Sequence, residues 1–267
     1  MIAEETYKLL TQHYRGKLDD IIISDVCVGL RITAVILSDG SYGVAGTMDD
    51  QGTHCAKENR DFGAFTPSKI RGSSLSSLFS SAKSSNILMS LKIAVMNALS
   101  SRIISESGYK VIEDADPVDL IDLSGGKNIT IVGAFHSYIR KISSTPNTLH
   151  VLELDREALA DEHKKFYVPS SEYKTLVPRS DIVIITGLTL VNNTIDGLLE
   201  ACNSRSKVIV TGPSSSLLPD LLFSKGVNMI GATRITDPDL LLTVAAEGGA
   251  GYHLFKYCAR KICILNE

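Results

Sequence analysis

Five short stretches could do chemistry, and each follows a run of apolar residues. They are 133-GAFHS-137, 153-ELDR-156, 186-TGLT-189 with 192-NNT-194 behind it, 211-TGPSS-215 and 231-GATR-234. Most pair glycine with small hydroxyl or amide side chains. Glycine lets a backbone approach a ligand closely, and hydroxyls with helix-start amides can hold a polar or anionic group. Ser, Thr and Asn are also the preferred first residues of helices, so capping alone accounts for any one of these loops. Four such loops at one end of a sheet point further, to a binding site. The candidate lining is Gly133, His136, Glu153, Gly187, Thr189, Asn192, Asn193, Thr194, Gly212, Pro213, Ser214 and Ser215. The serines after Thr211 are expected both to cap the next helix and to face a ligand, with Pro213 holding the turn rigid.

More familiar catalytic patterns are missing. There is no G-x-G-x-x-G after the first exit, which reads Gly133-Ala134-Phe135-His136, and no G-x-x-x-x-G-K-[ST]. Glu153 stands twenty residues after Gly133, where an acidic side chain could bind a ribose diol; a surface carboxylate at a strand end is the commoner reading. The histidines form no H-E-x-x-H pair, and neither His54-Cys55 nor His253 with Cys258 matches a zinc spacing. His136 is singled out because it opens a helix at the end of a strand, where it could donate to a ligand or titrate with one. No G-x-S-x-G elbow occurs. No motif names a cofactor.

The elements that must position these groups divide the chain in two. Residues 1–15 have helical apolar spacing. Residues 21–30, 31–39 and 41–46 read as three short strands, the last two joined by the turn Asp39-Gly40. In the serine-rich stretch 68–85, Leu75, Leu78, Phe79 and Ala82 keep helical spacing, which predicts a short helix. A long apolar helix covers 86–104. Beyond 125, continuous apolar runs at 128–135, 148–154, 181–187, 207–212 and 227–232 alternate with helical patterns at 136–142, 194–204, 214–225 and 238–260. Runs of this kind mark parallel strands covered on both faces. The last helix is expected to break or kink at Gly248-Gly249 and Gly251. The fold class is therefore α/β: a small α+β domain over 1–105, then a Rossmann-like doubly wound parallel sheet over 106–267. At the end of the third strand, Gly46 and Thr47 could face that sheet. Asn97 is an amide in an apolar helix; it makes either a structural hydrogen bond to a loop or a contact in the cleft between the domains.

Composition narrows the classes. The net charge is −3 with a pI near 6.1, which excludes the basic stripe that nucleic-acid binding needs. The five cysteines are odd in number and lack C-x-x-C, as expected of reduced thiols. The first residues lack a basic n-region with an apolar run, and Lys92 and Asn97 interrupt the most apolar helix. A cytoplasmic protein with no membrane partner is expected. The sequence is also compatible with a homodimer.

The order of pieces resembles the putative heavy-metal chelation family, whose members lack an assigned activity. The matching stretches are 42-YGVAGT-47, 93-IAVMNALSS-101, 131-IVGAF-135, 180-SDIVIITGLTLVNNTIDGLL-199, 209-IVTGPSSSLLPDLLFSKGVNMIGA-232 and 236-TDPDLLLTVAAEGGAG-251. The resemblance implies an enolase N-terminal-like domain before the Rossmann-like one. It also implies a ligand site at their interface and a role in handling or making a small metal-chelating molecule. The expected partner is therefore a small polar or metal-chelating molecule. The alternative is an enzyme using a nucleotide-like cofactor, S-adenosylmethionine or a dinucleotide.

Overall fold

The computed structural model describes residues 1–49, 65–81 and 85–266. Its first part holds helix α1 (Ile2–His13), strands β1 (Ile23–Val28), β2 (Ile32–Leu37) and β3 (Tyr42–Gly46), and helices α2 (Leu75–Ser80) and α3 (Asn86–Glu106). The three strands form an antiparallel sheet in sequence order. The β2–β3 turn is built as its residues require: Gly40 takes φ 81°, and the Ser41 amide donates to the Asp39 carboxylate at 3.0 Å. Ser85 caps α3 by accepting from the Leu88 amide at 3.0 Å. Residues 82–84 lie outside the described residues, so of the expected helical spacing only Leu75, Leu78 and Phe79 can be placed, all in α2.

The second part follows as β4 (Lys110–Glu113), β5 (Asn128–Val132), α4 (His136–Ser143), β6 (Thr148–Glu153), β7 (Tyr167–Pro169), α5 (Tyr173–Leu176) and β8 (Ile182–Thr186). It continues with α6 (Leu188–Val191), α7 (Ile195–Ala201), β9 (Lys207–Thr211), α8 (Pro219–Ser224), β10 (Val227–Ile235), α9 (Pro238–Ala246), α10 (Gly251–Tyr257) and β11 (Ala259–Leu265). Eight strands lie in the order β4-β11-β10-β9-β8-β5-β6-β7. The six from β10 to β7 are parallel, and β11 runs antiparallel to both β10 and β4. Numbered from β5, those six have the 3-2-1-4-5-6 order of a Rossmann sheet, with its switch point between β5 and β8.

Both faces of the sheet are covered, which is why its central strands read as continuous apolar runs. On one face Ile129, Ile131, Val151, Ile184 and Ile209 cluster with Tyr138, Ile139 and Ile142 of α4. On the other, Val183, Ile185, Val208 and Val210 join a core that includes Ile93, Val95 and Leu99 of α3. By length and apolarity α3 could cross a membrane, but 67% of its most apolar window is buried in the protein. It is apolar all round because both units pack on it.

Three features differ from the sequence expectation. The helix expected over 214–225 is a 3-10 turn at Pro213–Ser215 followed by a short α8, because Pro219 starts the helix late. The helix expected over 238–260 breaks at its glycines as expected, with Gly248 at φ 77°; what differs is its end, where Ala259 and Arg260 belong to the strand β11. The short strands β4 and β7 also escaped the apolar pattern. The packing crosses the boundary expected at residue 105: Leu241, Val244, Ala245 and Leu254 of α9 and α10 pack against Ile32, Ala34 and Val44 of the small sheet.

Candidate functional site

Helix α3 and strand β3 meet the carboxyl ends of β8 and β9, and hydrogen bonds close the seam. The Gly46 amide donates to Ser214 Oγ at 2.8 Å. Asn97 Nδ2 donates to the carbonyl of Val44 at 2.8 Å on its own side and to that of Pro213 at 3.2 Å on the other. Asn97 is 2% exposed, and its Oδ1 is buried without a hydrogen-bond partner among the described residues. Asn97 thus makes the structural hydrogen bond to a loop, and that loop belongs to the other unit. Thr47, beside Gly46, shares a hydroxyl bond with Thr33 at 2.8 Å.

The loop after β9 is turned inward. Gly212 takes φ 121°, a conformation that favours glycine. Ser215 Oγ lies 2.6 Å from the carbonyls of both Gly212 and Gly231. Ser216 Oγ accepts from the Thr233 amide at 2.9 Å. The expectation that these serines cap the next helix is corrected: α8 starts without a side-chain cap, Ser214 bonds across the seam, and Ser215 and Ser216 bond the backbone of Gly212, Gly231 and Thr233 in the larger unit. Gly187 is equally confined, since a Cβ there would come within 2.9 Å of the Ser215 nitrogen. Thr189 Oγ1 is also engaged, donating to the Thr186 carbonyl at 2.6 Å.

The remaining predicted residues spread along the same edge. Gly133 follows β5 with φ 106° at the switch point, and a Cβ there would be 3.0 Å from Thr186 Cβ. His136 is the exposed first residue of α4. Glu153 Oε1 accepts from the neighbouring Leu154 amide at 2.7 Å. Asn192, Asn193 and Thr194 form a self-contained turn, with Asn192 Oδ1 accepting from Thr194 Oγ1 at 2.7 Å and Asn193 at φ 57°. The pair His54-Cys55 lies outside the described residues.

Sequence reasoning missed one group. The Tyr138 hydroxyl donates to the Asp116 carboxylate, which also takes the Lys261 ammonium. Burial, and then the Asp116 charge, push the Tyr138 hydroxyl well above the usual tyrosine range. Burial pushes the nearby Cys263 thiol up to about 12. Lys261 is 145 residues from Asp116, so no local pattern could pair them. A separate open depression of about 780 Å³ lies at the ends of α1 and α3, lined by Tyr14, Arg15, Lys17, Asp39, Arg102 and Glu106 among others. It shares no residue with the strand exits. The exits carry the stronger argument, because the sheet order brings glycine-bearing loops together there and a buried acceptor is left unmet.

Fold and site define a two-unit α/β protein in which a small antiparallel sheet is sealed against the carboxyl edge of a Rossmann-type sheet. The chain belongs to the DUF364 family, described as "Putative heavy-metal chelation": residues 116–264 match that family, and residues 12–100 match DUF4213, which has the same description. It is similar to the crystal structure of a DUF364 protein of unknown function from Pyrococcus horikoshii, with TM-score 0.78 and 22% identity over 100% of both chains. It is also similar to that of a DUF364 protein of unknown function from Desulfitobacterium hafniense, with TM-score 0.70 and 16% identity over 97% of this chain and 99% of that one. An uncharacterised protein of Methanocaldococcus jannaschii is 34% identical over 90 residues, a match spanning 34% of each chain.

The family's description raises the question of a metal. Among the described residues, no three His, Cys, Asp or Glu side chains gather to hold an ion. Amides and hydroxyls at the strand exits suit an oxygen-rich organic molecule better than a bare heavy-metal ion, which prefers thiolate and imidazole. The described donor set does not fit direct coordination.

Proposed function

We propose that the protein binds a small polar, metal-chelating molecule at the carboxyl edge of the Rossmann sheet, where the small sheet meets it. The observation that carries this reading is Asn97: its Oδ1 is a buried acceptor at the seam without a partner among the described residues. Buried amide oxygens are normally satisfied, and an unmet one beside the strand exits suits a ligand donor. Gly46, Thr47, Gly187, Thr189, Ser214 and Ser215 form the rigid floor. Gly133, His136, Glu153, Asn192, Asn193, Thr194, Gly212 and Pro213 form the edge that a ligand would meet. Metal would arrive as cargo of the organic molecule.

The test is native mass spectrometry on gently purified protein, with metal analysis of the same sample. A retained molecule of defined mass is expected, and Asn97→Leu should weaken its retention about tenfold, the effect of one lost hydrogen bond to a buried group. A ligand retained equally by Asn97→Leu would sink the reading.

A second reading is an enzyme with a nucleotide-like cofactor. It is favoured by the Rossmann strand order together with Gly133 at positive φ after the first strand. Equilibrium dialysis against S-adenosylmethionine and dinucleotides decides it; no binding at millimolar concentration ends it.

A further inference from the structure

In the antiparallel pair β10–β11, Thr233 stands directly opposite Lys261. Opposite residues share a face of the sheet and are side-chain neighbours. Thr233 is 6% exposed, and its Oγ1 is buried without a hydrogen-bond partner among the described residues. The Lys261 side chain is 41% exposed. That ammonium is held from two sides, by the Asp116 carboxylate and by the Phe255 ring, whose centroid is 5.2 Å away. An ammonium has three N–H donors, and one serves Asp116.

This pair is connected to the seam. Gly231 precedes Thr233 on β10, and a Cβ there would come within 2.2 Å of Thr211 Oγ1 and 2.5 Å of Pro117 Cγ. A Cβ on Gly251, at the start of α10, would be 3.6 Å from Pro213 Cγ, and Pro213 is the residue whose carbonyl Asn97 holds. The strand exits, α10 and the loop of Asp116 thus surround the end of β10.

A plain structural role for Lys261 is to neutralise Asp116 and tether its loop to β11. That role explains the ion pair. It leaves the Thr233 hydroxyl and the spare ammonium donors without a purpose. We propose that Lys261 and Thr233 form the anion-binding end of the ligand site and take a carboxylate of the ligand. Asp116 sets the preference for the group that lies beside it: one carboxylate, with one negative charge, is accommodated there better than a phosphate dianion. The ligand class is therefore a carboxylate-bearing chelator. This inference rests on the reading under Proposed function.

Calorimetric titration of the full chain with citrate, and separately with inorganic phosphate, tests it. Citrate should bind the wild type. Lys261→Met should weaken it about tenfold or more, through loss of a charge-assisted bond. Thr233→Val should weaken it several-fold while raising the melting temperature, because an unsatisfied buried hydroxyl is removed. A purely structural pair could not produce that opposite movement. Citrate bound equally by wild type and both variants overturns the proposal, as does wild type that binds no citrate. Phosphate bound as tightly as citrate overturns the carboxylate class. If Asn97→Leu loses citrate and Lys261→Met keeps it, the anchor falls and the seam reading stands; the reverse result removes the seam reading.

Discussion

Tyr14 shows how one residue's surroundings set a property of the whole chain. Its hydroxyl donates to the Leu99 carbonyl at 3.3 Å. Burial first, and the Asp39 charge second, raise it from the ordinary 10.0 to about 12. Between those values the unfolded chain loses the Tyr14 proton while the folded one keeps it. The contribution is therefore intact below pH 10 and is lost as pH rises toward 12. Alkaline denaturation followed by circular dichroism should show stability falling through that window, less steeply in Tyr14→Phe; an unchanged slope would refute the assignment. Asn97 was legible at this scale because an amide in an apolar helix must find partners. Its partners on β3 and after β9 were not, since they lie 53 and 116 residues away.

At the scale of elements, the seating of α3 on β3 depends on a missing side chain. A Cβ on Gly43 would lie 2.3 Å from the Ala94 carbonyl oxygen and 2.4 Å from the Ala98 nitrogen, both backbone atoms of the helix. Helix backbone cannot yield as a side-chain tip can. Gly43→Ala should therefore cost about 3 kcal/mol by overpacking, read from urea denaturation. A loss below about 0.5 kcal/mol, the size of an ordinary surface change, would mean that the helix stands further from the strand. The parallel strands were legible because burial on both faces leaves a continuous apolar run. The strand β11 was not. Its sequence, Ala-Arg-Lys-Ile-Cys-Ile-Leu, follows a helical pattern, and its pairing with both β10 and β4 is decided across the sheet.

For the molecule as a whole, the two units share one core. Residues of α1 and α3 cluster with those of β8, β9 and α8, while α9 and α10 cover the far face of the small sheet. Cross-links reinforce this: the Ile2 amide donates to Asp196 at 3.2 Å and the Leu218 amide to Ser100 Oγ at 3.0 Å. Scanning calorimetry should show one cooperative transition, with the calorimetric and van't Hoff enthalpies equal. Two separated transitions would show that the seam is weaker than its burial indicates.

The sequence by itself determined the periodicities: three short strands, a long apolar helix, and five apolar runs, four of them ending in glycine with small polar residues. These are local properties, fixed by which faces of each element are buried. Only the tertiary structure decided what those endings do. Ser214 seals the seam while Ser215 ties its loop to β10, Lys261 finds Asp116 across the sheet, and the helices after β10 return to cover the first sheet. Each depends on contacts between residues far apart in the chain, and periodicity along the sequence carries no record of which distant segment a buried polar group will meet.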